Sequence, residues 1–212
     1  MRKTWISVML ILFLVAIVTG CGQTSPYGTP VPIKQLKWGM NEKETMTRLG
    51  ITEKEITATS NGFMLKERIE LYNRPAEVNF LFSEHFLLGI TAIFKPADVA
   101  FVEQEITKQR GPGEPQYNAK NELIQLSWND GLLQDNKKWL AVVEKIYRDN
   151  GMKATENPME DGVNVTGKPI TSWVLILDKN SPRYGVVSFY GQVAAMLNYP
   201  ERFFPTGKVE KE

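Results

Sequence analysis

The sequence predicts an α+β fold: an antiparallel sheet with helices packed on one face, laid out as two tandem α-β units. Short runs alternate apolar and polar residues at the strand period of two, among them Val78, Phe80 and Phe82, then Leu88, Ile90, Ala92 and Phe94. These runs follow one another beside helices instead of alternating with them, which favours antiparallel pairing over parallel βαβ units. Two helical segments, closed by Gly50 and by Gly111, each open a set of strands, although no high-identity repeat joins the halves.

The chain of 212 residues opens with Met1-Arg2-Lys3, followed by an almost unbroken apolar run from Trp5 to Val18. A basic start, a hydrophobic stretch and then small residues form the layout of an export signal. The run is short of the ~20 residues that a spanning helix needs. It ends at Val18-Thr19-Gly20-Cys21, which holds the only cysteine of the chain. Gln, Thr, Ser, Pro and Gly follow Cys21, and no core could form around such neighbours.

These four residues resemble the lipobox of bacterial prolipoproteins, an aliphatic–small–small–Cys pattern. The resemblance implies cleavage between Gly20 and Cys21 and attachment of diacylglycerol to the Cys21 sulfur, with fatty acyl groups such as palmitate as the anchor. Two or more acyl chains hold a protein stably on a membrane where one does not, at ~0.8 kcal/mol per buried methylene. The expected layout is therefore a signal peptide at 1–20 and a lipidated Cys21 with a flexible tether at 21–36. The expected location is the extracytoplasmic side of a cell membrane, held by lipid.

A lipidated chain has no thiol left for a disulfide or a metal. Loss of Arg2 and Lys3 leaves 23 cations against 24 carboxylates, a net charge of about −1. Such a surface gives no basic patch for nucleic acid or anionic lipid.

In the expected first unit, 37–96, Asn41 caps a helix with Glu44 three residues on, and Gly50 closes it. "FMLKERIELY", "AEVNFLF" and "FLLGITAIF" read as strands, the last two joined by a hairpin across "SEH". The expected second unit, 97–200, starts with a helix from Asp98 whose Val99, Val102 and Ile106 share a face. "GPGEP" is its rigid exit. "ELIQLSW" is a strand, and "DNKKWLAVVEKIYRDNG" a helix with Trp139, Val143, Ile146 and Tyr147 on one face. "SWVLILD" and "YGVVSFY" form a last hairpin, "QVAAMLNY" a short helix or turn, and 201–212 a tail.

The pattern "WGM…E…M..LG" followed by strands, in a lipoprotein, resembles the BamE-type envelope lipoproteins and the wider group that includes the β-lactamase inhibitor protein. It covers roughly residues 38 to 94 and implies an α+β interaction module. The proline often found after "LG" is replaced by Ile51-Thr52, and over 100 residues follow, so no binding residue carries over.

Gly162 to Lys168 fits G-x-x-x-x-G-K, but Pro169 stands where a phosphate loop needs Ser or Thr, and a strand-like run follows instead of a helix. Nucleotide is therefore not expected. His85, the only histidine, lies in the hairpin loop beside Glu84, and a metal site would need three or four ligands. The chain contains no G-x-S-x-G, S-x-x-K or H-E-x-x-H pattern. Trp38 reads either as a packing plug before the first helix or as an exposed contact. No catalytic residue, cofactor or metal is expected.

The expectation is a lipid-anchored, non-enzymatic binding or scaffolding module with an envelope protein or cell-wall partner. The alternative is an envelope enzyme acting on glycans through paired carboxylates, which are recognised by their separation in space.

Overall fold

The computed structural model describes residues 33–83, 85–132, 169–199 and 202. The signal segment, Cys21, the helix expected at 135–151 and the motif ending at Lys168 lie outside the described residues. The described chain is mixed α+β. Helix α1 spans Glu42–Leu49, α2 Val99–Arg110 and α3 Gln192–Asn198. The strands are β1 Ile56–Thr59, β2 Gly62–Leu65, β3 Ile69–Leu71, β4 Arg74–Ser83, β5 Phe86–Phe94, β6 Glu114–Tyr117, β7 Leu123–Leu132, β8 Pro169–Ile176 and β9 Val186–Tyr190. All described pairings are antiparallel and make one sheet, in the order β1-β2-β4-β5-β9-β8-β7-β6, with β3 also paired to β4.

Local chemistry explains the elements. At α1 the Glu44 amide donates to Asn41 Oδ1 at 2.8 Å, and the Asn41 amide donates to Glu44 Oε2 at 2.9 Å. This reciprocal cap satisfies two donors that a helix start leaves free. Gly50 ends the helix at φ 69°, a left-handed conformation that costs a residue with a Cβ energy. Helix α2 buries Val99, Val102 and Ile106 at the spacing the sequence shows. Only residues 84 and 85 separate the paired Ser83 and Phe86, so β4 and β5 form the expected hairpin.

Three details differ from the sequence reading. "FMLKERIELY" is not one strand, because β2 and β3 lie end to end along the same side of β4. Met64 faces Asn79 and Ile69 faces Ala76, so four residues of one strand line stand opposite two of the other. The surplus charged residues loop out, and Arg68 returns to pair with Glu77. The sequence reading also missed the edge strands β1 and β6. Three of the four β1 residues and all four β6 residues are exposed, so neither shows strand alternation. Pro115 fits β6 because an edge strand tolerates a missing backbone donor. Finally, packing starts inside the expected tether, since Ile33 and Leu36 are buried in the core.

Cross-strand register sorts the side chains onto two faces. Phe63, Phe80, Ile90, Phe189, Trp173 and Trp128 follow one another across neighbouring strands. All six are buried, and with Val99, Val102 and Ile106 of α2 they belong to one hydrophobic core. The opposite face carries Asn79, Thr91, Ser188, Val174 and Ser127 in the parallel row. Tyr190 and Ile93, also on that face, are two of the three exposed large hydrophobics among the described residues.

Candidate functional site

On the core face, β7 runs Leu126, Trp128, Asp130, so a carboxylate occupies a position whose period calls for an apolar residue. Its neighbours account for it. Thr171, opposite on β8, donates from Oγ1 to Asp130 Oδ2 at 2.9 Å. Arg110, at the last turn of α2, forms an ion pair with Asp130 Oδ1. The Arg110 guanidinium also lies over the Trp173 ring, 3.5 Å from its centre, a cation–π geometry. The Trp128 indole donates from Nε1 to the Gly111 carbonyl at 3.0 Å, occupying an acceptor at the end of the helix. Gly113 is needed for this approach, because a Cβ there would sit 2.7 Å from the Trp128 ring.

These groups border a recess of about 490 Å³, lined by Arg110, Glu114, Ser127, Asn129 and Asp130 among others. It opens where β6 stops, leaving the outer edge of β7 from Trp128 onward without a strand partner among the described residues. The two carboxylates do not face each other. Glu114 pairs with Ser127, whose side chain projects to the face opposite that of Asp130. Asp130 is moreover already engaged by Arg110 and Thr171. The wall of the recess offers the Ser127 hydroxyl, the Asn129 amide and the Glu114 carboxylate as hydrogen-bonding groups.

A second recess, of about 610 Å³, lies between the start of α1, the β1–β2 turn and the β4–β5 turn, with Glu42, Ser60, Asn61, Ser83 and His85 in its wall. His85 takes a left-handed φ of 70°, as a residue in a tight hairpin turn does. No group of three His, Cys, Asp or Glu able to hold a metal occurs among the described residues.

Trp38 is 1% exposed. A Cβ on Gly191 would lie 2.1 Å from Trp38 Cδ2, so the indole is seated on bare backbone at the entry to α3. Asn198 of α3 donates to the Trp38 carbonyl at 3.3 Å. Trp38 is therefore a packing plug, and the exposed-contact reading fails because its ring is covered. Beside it, Arg202 donates to the Gly39 carbonyl at 2.9 Å and to both Glu44 oxygens, at 2.8 and 3.0 Å, tying the start of the expected tail to the cap of α1. That guanidinium and the Asn41 amide hold the Glu44 carboxyl below its ordinary value of 4.5. Pro169–Ile176 is a strand, so the element after the G-x-x-x-x-G-K motif is not the helix that a phosphate loop requires.

Sequence reasoning missed the Arg110–Asp130–Thr171 cluster. One signal existed: Asp130 continues the core-facing positions Ile124, Leu126 and Trp128. Its partners lie 20 and 41 residues away and meet it only through the fold. No family model, no curated protein and no solved structure matches the chain.

Proposed function

We propose that the protein is a lipid-anchored, non-enzymatic binding or scaffolding module on the extracytoplasmic face of a bacterial membrane, presented to an envelope protein or the cell wall. The observation that carries this reading is the single cysteine, Cys21, set directly after Val-Thr-Gly at the end of an apolar run. The folded body suits the role. Ile33 is buried and lies twelve residue steps after Cys21, a reach of at most ~43 Å at ~3.3–3.6 Å per residue. The module would stand close to the lipid surface.

Two finer features belong to the same reading. The first is helices on one face: Arg110 over Trp173 and the Trp128 bond to Gly111 put the end of α2 against the core face. The second is tandem construction: β1–β5 run from one edge of the sheet to its middle, β6–β9 do the same from the other edge, and a helix precedes each set. The two sets meet at β5 and β9. The glycan-enzyme alternative needs two carboxylates facing across a cleft, and Glu114 and Asp130 project from opposite faces.

The test is Cys21→Ala in the full chain, in cells fed a labelled fatty acid. The expected mutant keeps residues 1–20 and takes no label, whereas the wild type is cut and labelled. A mutant cut normally, beside an unlabelled wild type, would overturn the anchor.

A further inference from the structure

The sheet is open, and its path ends in two edge strands, β1 and β6. An edge strand offers N–H and C=O groups to any other chain, so edges are normally blunted by charge, proline or a bulge. The β6 edge carries Glu114, Pro115 and a register shift between Gln116 and Tyr117. The β1 edge, Ile56-Thr57-Ala58-Thr59, has none of these. It contains no charge and no proline, and its register against β2 is unbroken. Thr57, Ala58 and Thr59 are all exposed, so the strand is open to solvent. The hairpin sets the direction of its backbone groups. Only Ser60 and Asn61 separate the paired Thr59 and Gly62, and Lys66 N–H donates to the Glu55 carbonyl at 2.9 Å. In an antiparallel pair, residues that exchange backbone bonds alternate with residues that do not. Positions 55, 57 and 59 therefore bond inward, and Ile56 and Ala58 turn their N–H and C=O groups outward.

We infer that two copies of the chain join through β1, antiparallel, into one continuous sheet. The fit to a second copy lies in the register. With the twofold axis at Thr57, Ile56 of one copy stands opposite Ala58 of the other, and their outward groups exchange hydrogen bonds on both sides of the axis. Thr57 then faces its own copy at a position without backbone bonds, where side chains come closest, and threonine hydroxyls can pair with each other. A charged residue at that position would meet its like. The charges Glu53, Lys54 and Glu55 all precede the strand, so the same register sets them opposite Asn61, Ser60 and Thr59 of the other copy. No like charges stand opposite one another. The strand is four residues long, so the contact belongs to the small, transient class of interfaces.

The experiment is sedimentation equilibrium of the full chain in density-matched detergent, up to about 0.3 mM. The variants are Thr57→Asp, Thr57→Lys, Ala58→Pro and, on the opposite edge, Gln116→Lys. Near-ultraviolet circular dichroism confirms that each is folded. Ala58→Pro should keep the β1–β2 hairpin, because the donor it removes faces outward. The expected wild type is a concentration-dependent dimer. Ala58→Pro and each Thr57 variant alone raise the dissociation constant about tenfold or more, and Gln116→Lys changes it less than about threefold. An equimolar mixture of Thr57→Asp and Thr57→Lys recovers dimer, which requires position 57 to face its own copy. A wild type that is monomeric throughout the range overturns the inference, as does a dimer unchanged by these three β1 variants or a mixture that fails to recover. A monomeric wild type whose Ala58 amide gains hydrogen-exchange protection only with envelope extract would assign the edge to another protein's strand, and it too overturns the second copy.

Discussion

The two faces of the sheet share the same strands and differ in what they ask of each residue. On the core face the row Phe63, Phe80, Ile90, Phe189, Trp173 and Trp128 is buried throughout, and Asp130, a charge on the same face, is matched by Arg110 and Thr171. On the outer face the parallel row is small, neutral and partly open, with Tyr190 and Ile93 standing out to solvent. Stability of the folded chain therefore resides on the first face. The comparison teaches that absence of charge in a strand does not by itself mark the core face, since the outer positions of β5, β8 and β9 are equally uncharged.

The largest expected effect breaks the core face. Trp173→Ala removes a side chain that is 2% exposed, packs edge-on against Phe189 with ring centres 4.9 Å apart, and supports Arg110. Loss of a buried aromatic costs about 3–5 kcal/mol, read as a fall in the denaturant midpoint. Next is Asp130→Ala. It strips the counter-charge from Arg110, whose side chain is 17% exposed, and leaves the Thr171 hydroxyl without its acceptor. Breaking a well-buried pair costs about 3–5 kcal/mol, but Asp130 is 43% exposed, so solvent screening brings the expected loss to roughly 1–3 kcal/mol. A double-mutant cycle with Arg110→Met isolates the coupling.

A third prediction sharpens the comparison by pH. Because the folded Glu44 carboxyl titrates below its ordinary value of 4.5, its stabilising contribution is complete above about that pH and is lost as pH falls through the lower folded value. Arg202→Met removes the main cause of that shift, so acid unfolding between pH 5 and the acid limit should become less steep; about these values the reference is the unperturbed carboxyl. An unchanged acid limb would mean that the Arg202–Glu44 contact does not persist in solution. The smallest effect belongs to the outer face: Ile93→Thr should shift the stability of the monomer by no more than about 0.5 kcal/mol, as surface substitutions do.

The core face was the more legible in sequence. Val78, Phe80 and Phe82, or Val99, Val102 and Ile106, announce their elements because burial imposes a period. The Asn41–Glu44 cap and Gly50 were readable because each satisfies a local backbone need. The exposed edge strands β1 and β6 were not, since their order comes from pairing with a neighbour and leaves no period in their own residues. Trp38 was ambiguous for a related reason. Nothing near it in sequence shows that Gly191 supplies its seat, 153 residues away. The Arg110–Asp130–Thr171 cluster needed the register of β7 against β8 and the place where α2 ends.

The most direct test of the binding-module reading is photocrosslinking of the full chain in its own cells. A photoreactive phenylalanine analogue replaces either Tyr190, on the outer face, or Lys108, whose side chain is 78% exposed on α2. The account predicts a discrete adduct with an envelope partner, heavier than the chain alone, from one of the two positions. No adduct from either position would contradict it, because neither exposed surface would then meet a partner.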